Sequence, residues 1–271
     1  LHRFQHLASI AWWDQAAHMP TKGNEARAAA LAELAALMHR LRTDDTLAER
    51  LARAEQEPLA DHQRANLREI RRDWHNANAL PAELVQRRQL ASSRCEHAWR
   101  SLRPANDWPG FVEHWKPVLA IAREEAELLS QQSGLARYDA LMDRYEPGMT
   151  SATVDRVFGA VRQWLPGLIQ RVTQKQAREP VKQATGPFAI EAQRALCQQM
   201  VRRLGFDFEA GRLDASTHPF SGGVPEDVRM TTRYREDQFL PALMGTVHET
   251  GHGRYEQNRP RDWLGQPVSE A

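Results

Sequence analysis

Apolar residues recur along most of this chain at intervals of three and four, the spacing of helices that bury one face. Over 24–42 the apolar positions Leu31, Leu34, Leu37, Met38 and Leu41 fall on one side of a predicted helix. A second helix is predicted over 43–56, with Thr43 as its N-cap and acids in its first turn. Others follow over 59–79 and over 81–103, the latter with Pro81 in a good starting position. The segment 108–134 opens on a Pro-Gly pair and closes at Gly134. The pattern continues over 150–176, with a break expected at Pro166, and over 189–205. Tryptophans and methionines along these helices are read as core.

The texture changes at 206–235. Here Val228, Met230 and Thr232 alternate with Arg229, Thr231 and Arg233, the period of a strand, and Gly222-Gly223 supplies turn chemistry before it. A further helix is predicted over 239–258. The expectation is a mainly α chain with a small β element, in a single domain over 1–271. No repeat, low-complexity tract or long linker marks a boundary.

Composition narrows the function classes. The 271 residues carry 36 Lys+Arg against 35 Asp+Glu, a formal charge of +1, with arginines interleaved among acids. Nothing in that balance calls for nucleic acid or an anionic membrane as partner. No stretch approaches 18 uninterrupted apolar residues, so no transmembrane helix is predicted. Cys95 and Cys197 lie far apart in helical stretches, which fits reduced thiols and a cytoplasmic setting. The start at Leu1 lacks an initiator Met and a signal pattern, and reads as though residues precede it.

The candidate chemistry is concentrated in "HETGH", 248–252. On a helix, His248 and His252 stand one turn apart on the same face, so both imidazoles can reach one metal ion. Glu249 is rotated by about 100° and flanks that ion, where a general base acting on water should stand. Gly251 costs about 1 kcal/mol relative to Ala inside a helix. Close approach of a neighbouring helix or a substrate is the expected reason for it. Against this stands the plain alternative of a solvated helix face carrying two unrelated histidines.

Five stretches together resemble the Taq-type thermostable metallocarboxypeptidases: "WDQAAHMP" (13–20), "YDALMDRYEPGMT" (138–150), "HPF" (218–220), "DVRMTTRY" (227–234) and "HETGHGRYEQ" (248–257). The resemblance implies a mainly α, zincin-like helical metallopeptidase with a small β-sheet beside the active-site helix, lining a long groove. It also implies release of C-terminal amino acids from peptides, one divalent metal ion (zinc or cobalt) and a homodimer. Carried over, His248 and His252 become metal ligands and Glu249 the catalytic base. His218, Arg229 and Tyr234 belong to motifs expected near the substrate. For Arg229, a fork on the substrate's terminal carboxylate and a scaffold pair with Asp227 stay open. For His218, the choice is between donating to a transition-state oxygen and capping a loop. "YDALMDRYEPGMT" reads as packing and capping, and Trp13-Asp14 as a buried helix-to-helix hydrogen bond.

The sequence departs from the family where the third ligand should stand. A catalytic zinc of this type takes three protein ligands, and the family supplies the third from a glutamate in a downstream His-Glu-Ser motif. This sequence ends at "GQPVSEA". The expectation is an N-terminal portion, incomplete at its C-terminus, with metal weakly bound or absent and little or no activity. Glu256 is a poor substitute, since it lies about 12 Å from His248 along the helix axis and nearly in line with the pair. Glu270 is a remote possibility. The alternatives are a zinc endopeptidase of the same general fold and a non-catalytic helical interaction domain.

Overall fold

A computed structural model describes residues 1–180 and 184–269. In chain order its main elements are α1 (His2–Ala17), α2 (Asn24–Arg42), α3 (Thr46–Ala54), α4 (Asp61–Asn78), α5 (Ala82–Leu102), α6 (Trp108–Ser133), α7 (Arg137–Met142), α8 (Ser151–Gln176), α9 (Ile190–Arg203), β1 (Gly211–Ala215), β2 (Ser221–Val224), β3 (Asp227–Thr232) and α10 (Leu240–Gln257). This is the mainly α fold with a small sheet beside the motif helix. The chain forms two compact units, Leu1–Leu119 with Gly186–Ala271, and Ala120–Thr185.

In the second unit, side-chain caps set the start of α8. The Asp139 carboxylate accepts from the Ser151 N–H (2.8 Å) and hydroxyl (2.5 Å), and the Thr150 hydroxyl accepts from the Thr153 N–H. Gly148, at φ 81°, makes the turn before it and donates its N–H to Asp143. The motif over 138–150 therefore holds a helix start in place. α8 runs unbroken through Pro166, against expectation. The proline removes the donor for the Arg162 carbonyl, but no residue of α8 is buried, so water can take that acceptor while the flanking turns persist.

In the first unit, α2 packs on α5, and of the predicted leucine row only Leu31 is buried. Ala28, Leu31, Ala32 and Ala36 are buried, whereas Leu41 is exposed and Leu34 and Met38 line a cavity. Alanines four apart let two helix backbones approach, which a larger side chain would prevent. Thr43 also differs from expectation. Its N–H and hydroxyl both donate to the His39 carbonyl, ending α2, and the Asp44 carboxylate accepts the Thr46 N–H to start α3. A carboxylate is well placed at the positive end of a helix. Of the tryptophans, Trp13 is buried, but Trp12, Trp108, Trp115 and Trp164 are exposed. Trp108, Phe111 and Trp115 instead pack along one another on the surface of α6.

The sheet has the order β1-β3-β2, with β1 parallel and β2 antiparallel to β3. The alternating "VRMTT" therefore forms the central strand, and among the described residues the edges are β1 and β2. Val228 and Met230 are fully buried against Cys197 and Val201 of α9 and against Phe206. Of the polar residues of the alternation, Arg229 is half-buried and Thr231 buried, because each has partners, whereas Arg233 is exposed. Arg229 pairs with Asp227 and lies over the Trp13 ring of α1, and Thr231 bonds Ser216 and Phe220. Trp13 itself donates to Asp214 of β1 (3.2 Å), while Asp14 takes the helix-to-helix link, to Arg27 of α2 (2.5 Å).

Candidate metal centre

α10 lies on the sheet through a face of small and polar residues: Ala242, Thr246, Glu249, Thr250 and Gly253 are buried. A Cβ at Gly253 would stand 2.7 Å from the Met230 Sδ and 2.9 Å from Phe206, so this glycine sets how closely helix meets strand. Thr232 adds a tie by donating its hydroxyl to the Ala242 carbonyl (3.2 Å). At Gly251, by contrast, nothing among the described residues lies within 4 Å of where a Cβ would be. The neighbouring-helix explanation for that glycine is not found there; the close approach is two residues further on.

The opposite face of α10 carries the two histidines, both exposed. Their rings meet at 78° with centroids 4.9 Å apart, and the two Nε2 atoms are 3.3 Å apart. Two imidazoles on one zinc at 2.0–2.1 Å, with a tetrahedral angle between them, should place their nitrogens about 3.3 Å apart. The observed separation of the two nitrogens matches that spacing. Glu249, the next residue after His248, is 7% exposed at the border between this face and the sheet.

Among the described residues, no group of three or more His, Cys, Asp or Glu is placed to hold a metal ion. Glu256 is engaged by Arg259, whose Nη1 donates to it at 2.7 Å. Glu270 lies outside the described residues.

The other sequence candidates are spread over the sheet. His218 is exposed in the β1–β2 loop, its Nδ1 2.7 Å from the Pro219 carbonyl. A carbonyl only accepts, so Nδ1 is the donor in this contact. Pro219 touches α10, 3.7 Å from the Cβ position of Gly245, one turn before His248. Arg229 commits Nε and Nη2 to Asp227 (2.5 and 2.9 Å). Tyr234 packs against the α9–sheet core, with the Arg194 guanidinium over its ring, and burial pushes its phenol up to about 12. The core it joins lies under α10, whereas the two histidines are on the solvent side. Cys95 and Cys197 are buried free thiols that burial pushes up, the state of inert structural cysteines.

Arg229 holds the Asp227 carboxyl below the usual carboxylate value; burial opposes this, and His6 of α1, 3.1 Å away, adds to it. A carboxylate whose pKa is depressed by folding contributes stability above its unfolded pKa of about 3.9, and that contribution fades as pH falls through the lower folded value. Asp227→Asn should therefore lower the urea midpoint at pH 7 and make progressively less difference below pH ~4. A stability difference that stays constant down to pH ~2 would mean that the ion pair contributes nothing.

Sequence reasoning did not single out β2, "SGGV", as a possible substrate edge; its only signal was two glycines beside an unpaired strand. It also missed Arg212 and Asp214, which with Arg229 enclose Trp13.

The sequence model described as "Carboxypeptidase Taq (M32) metallopeptidase" matches residues 1–271. Thermostable carboxypeptidase 1 of Thermus thermophilus is 38% identical over 98% of this chain and 54% of its own length, and carboxypeptidase 1 of Bacillus subtilis is 27% identical over 94% and 51%. The solved structure of Trypanosoma cruzi metallocarboxypeptidase 1 superposes with a TM-score of 0.87 at 44% identity, covering 100% of this chain and 55% of that one. The chain thus spans about half the length of the relatives it matches. With an H-E-x-x-H helix seated on a three-stranded sheet and a family match from its first residue to its last, the chain belongs to the Carboxypeptidase Taq (M32) metallopeptidase family.

Proposed function

We propose that this chain carries the metal-binding helix and the peptide-binding edge of a metallocarboxypeptidase. His248 and His252 hold one divalent ion, zinc or cobalt, and a third ligand comes from outside the described residues. The single observation that carries this reading is the 3.3 Å separation of the two Nε2 atoms. When bound, such an ion polarises the scissile carbonyl and makes water acidic enough to attack near neutral pH. Glu249 takes the proton of the attacking water and passes it to the departing amine.

The peptide lies along β2. The Thr231 N–H donates to the Phe220 carbonyl (2.8 Å), and the β2–β3 register pairs Gly222 with Arg229. By the alternation of an antiparallel ladder, Ser221 and Gly223 then direct their main-chain groups to the open side. An extended peptide can pair there as an added strand. An arginine, through the Nη1 edge of Arg229 or from outside this chain, anchors the terminal carboxylate and limits the enzyme to exopeptidase action.

Because two imidazoles make an incomplete site, the 271-residue chain alone should show almost no turnover. The test is release of a free amino acid from a blocked dipeptide with added cobalt. The chain by itself is expected to stay at background, and a fusion to the remaining length of a family relative to be active. Robust turnover by the isolated chain would overturn the need for a further ligand.

A further inference from the structure

Beside β2, on the face of the sheet away from α10, lies a cavity of about 360 Å³ between α1, α2 and the strand. Its walls are mainly apolar, from Trp12 of α1, Leu31, Leu34, Ala35 and Met38 of α2 and Phe220 just before β2, with Gln89 of α5 and Arg229 of β3 as polar members of the lining. At its strand side stands Gly222, where nothing lies within 4 Å of the position a Cβ would take. Leu34 and Met38 belong to the row that the helical pattern assigned to the core, and here they line the cavity. The volume is at the low end for ligand pockets, large enough for one or two side chains and small for a cofactor.

The faces of the sheet relate this cavity to the β2 edge. Gly222 pairs with Arg229, and Arg229 lies over Trp13, so both belong to the face covered by α1. Ser221 pairs with Met230, which belongs to the opposite face, on the side of α9. A peptide added along the open side of β2 must alternate in the same way, successive side chains pointing to opposite faces. One residue then turns towards the face of α10 and its neighbour turns over Gly222, where no side chain blocks the way.

We infer that this cavity is a side-chain pocket for a bulky apolar residue of the bound peptide, next to the residue directed at the α10 face, with Trp12, Leu34 and Met38 as its specificity-determining walls. The inference rests on the reading of β2 as the peptide-binding edge. Gly222 is the entrance: its backbone is not in the left-handed region, so a β-branched residue fits the strand and closes the mouth of the pocket.

The test is a binding titration followed by tryptophan emission, since Trp12 lines the cavity. The probes are three capped tripeptides that differ only in a central Leu, Asn or Gly. The Leu peptide should bind at least tenfold more tightly than the Asn peptide, which has similar size, and should shift the emission. Gly222→Val should remove that preference, and so should Ala35→Leu, which fills the cavity from the opposite wall without touching the sheet. His248→Ala should leave the preference intact, so a failure of the metal reading is scored separately. If all three peptides bind equally, the edge reading stands and the pocket falls. If none binds, both fall. A Leu preference that survives both filling variants would place the apolar contact elsewhere and overturn the inference.

Discussion

Glu249→Gln, placed in a form of the enzyme whose metal site is complete, is expected to retain the metal and lose about 10²–10⁴-fold in kcat. The size of the loss follows from what the substitution removes. Gln has nearly the shape of Glu, and residue 249 is buried at the seam between α10 and the sheet, so helix and histidines should stay where they are. What disappears is a carboxylate able to accept a proton from water and release it to the amine. KM should change little, since in the proposed mechanism the carboxylate acts on the reaction and not on peptide pairing with β2. Metal content and kcat have to be measured on the same sample. Loss of metal together with activity would assign Glu249 a structural role; unchanged kcat would exclude it as the base.

The second large effect concerns the histidines themselves. Replacing either by Ala leaves a single imidazole, and one neutral nitrogen holds a divalent ion far more weakly than two that converge on it. A loss of at least tenfold in metal affinity is expected for each, with little effect on folding, because both side chains are exposed on the outer face of α10.

The parts legible in the sequence were those set by local rules. Helix periodicity, the strand alternation and the H-E-x-x-H spacing each follow from geometry within a few residues, and five motif stretches in order brought the family. What stayed hidden depended on partners distant in the chain. The leucine row of α2 looked like the packed face, but only Leu31 of it is buried, together with the alanines at 28, 32 and 36, whose small side chains permit a close approach of helices. β3 read as a half-exposed strand because Arg229 and Thr231 are polar. Asp227, Trp13, Ser216 and Phe220 satisfy them, and only the tertiary structure could show that.

The glycines of α10 show the same limit at the site. Gly251 drew attention by lying inside the motif, yet the close contact belongs to Gly253, packed on Met230 and Phe206. A glycine's reason is held by whatever opposes it. Tyr234 and His218 were picked out through motif membership, and the structure puts one in the core below α10 and the other in the exposed β1–β2 loop.

The most direct measurement is a cobalt(II) titration of the 271-residue chain, its His248→Ala variant and its His252→Ala variant, followed by ligand-field absorption. Weak one-to-one binding with a nitrogen-ligand spectrum is expected for the unsubstituted chain, and each variant should bind at least tenfold more weakly. Equal binding by all three proteins would contradict the claim that these two imidazoles share one ion.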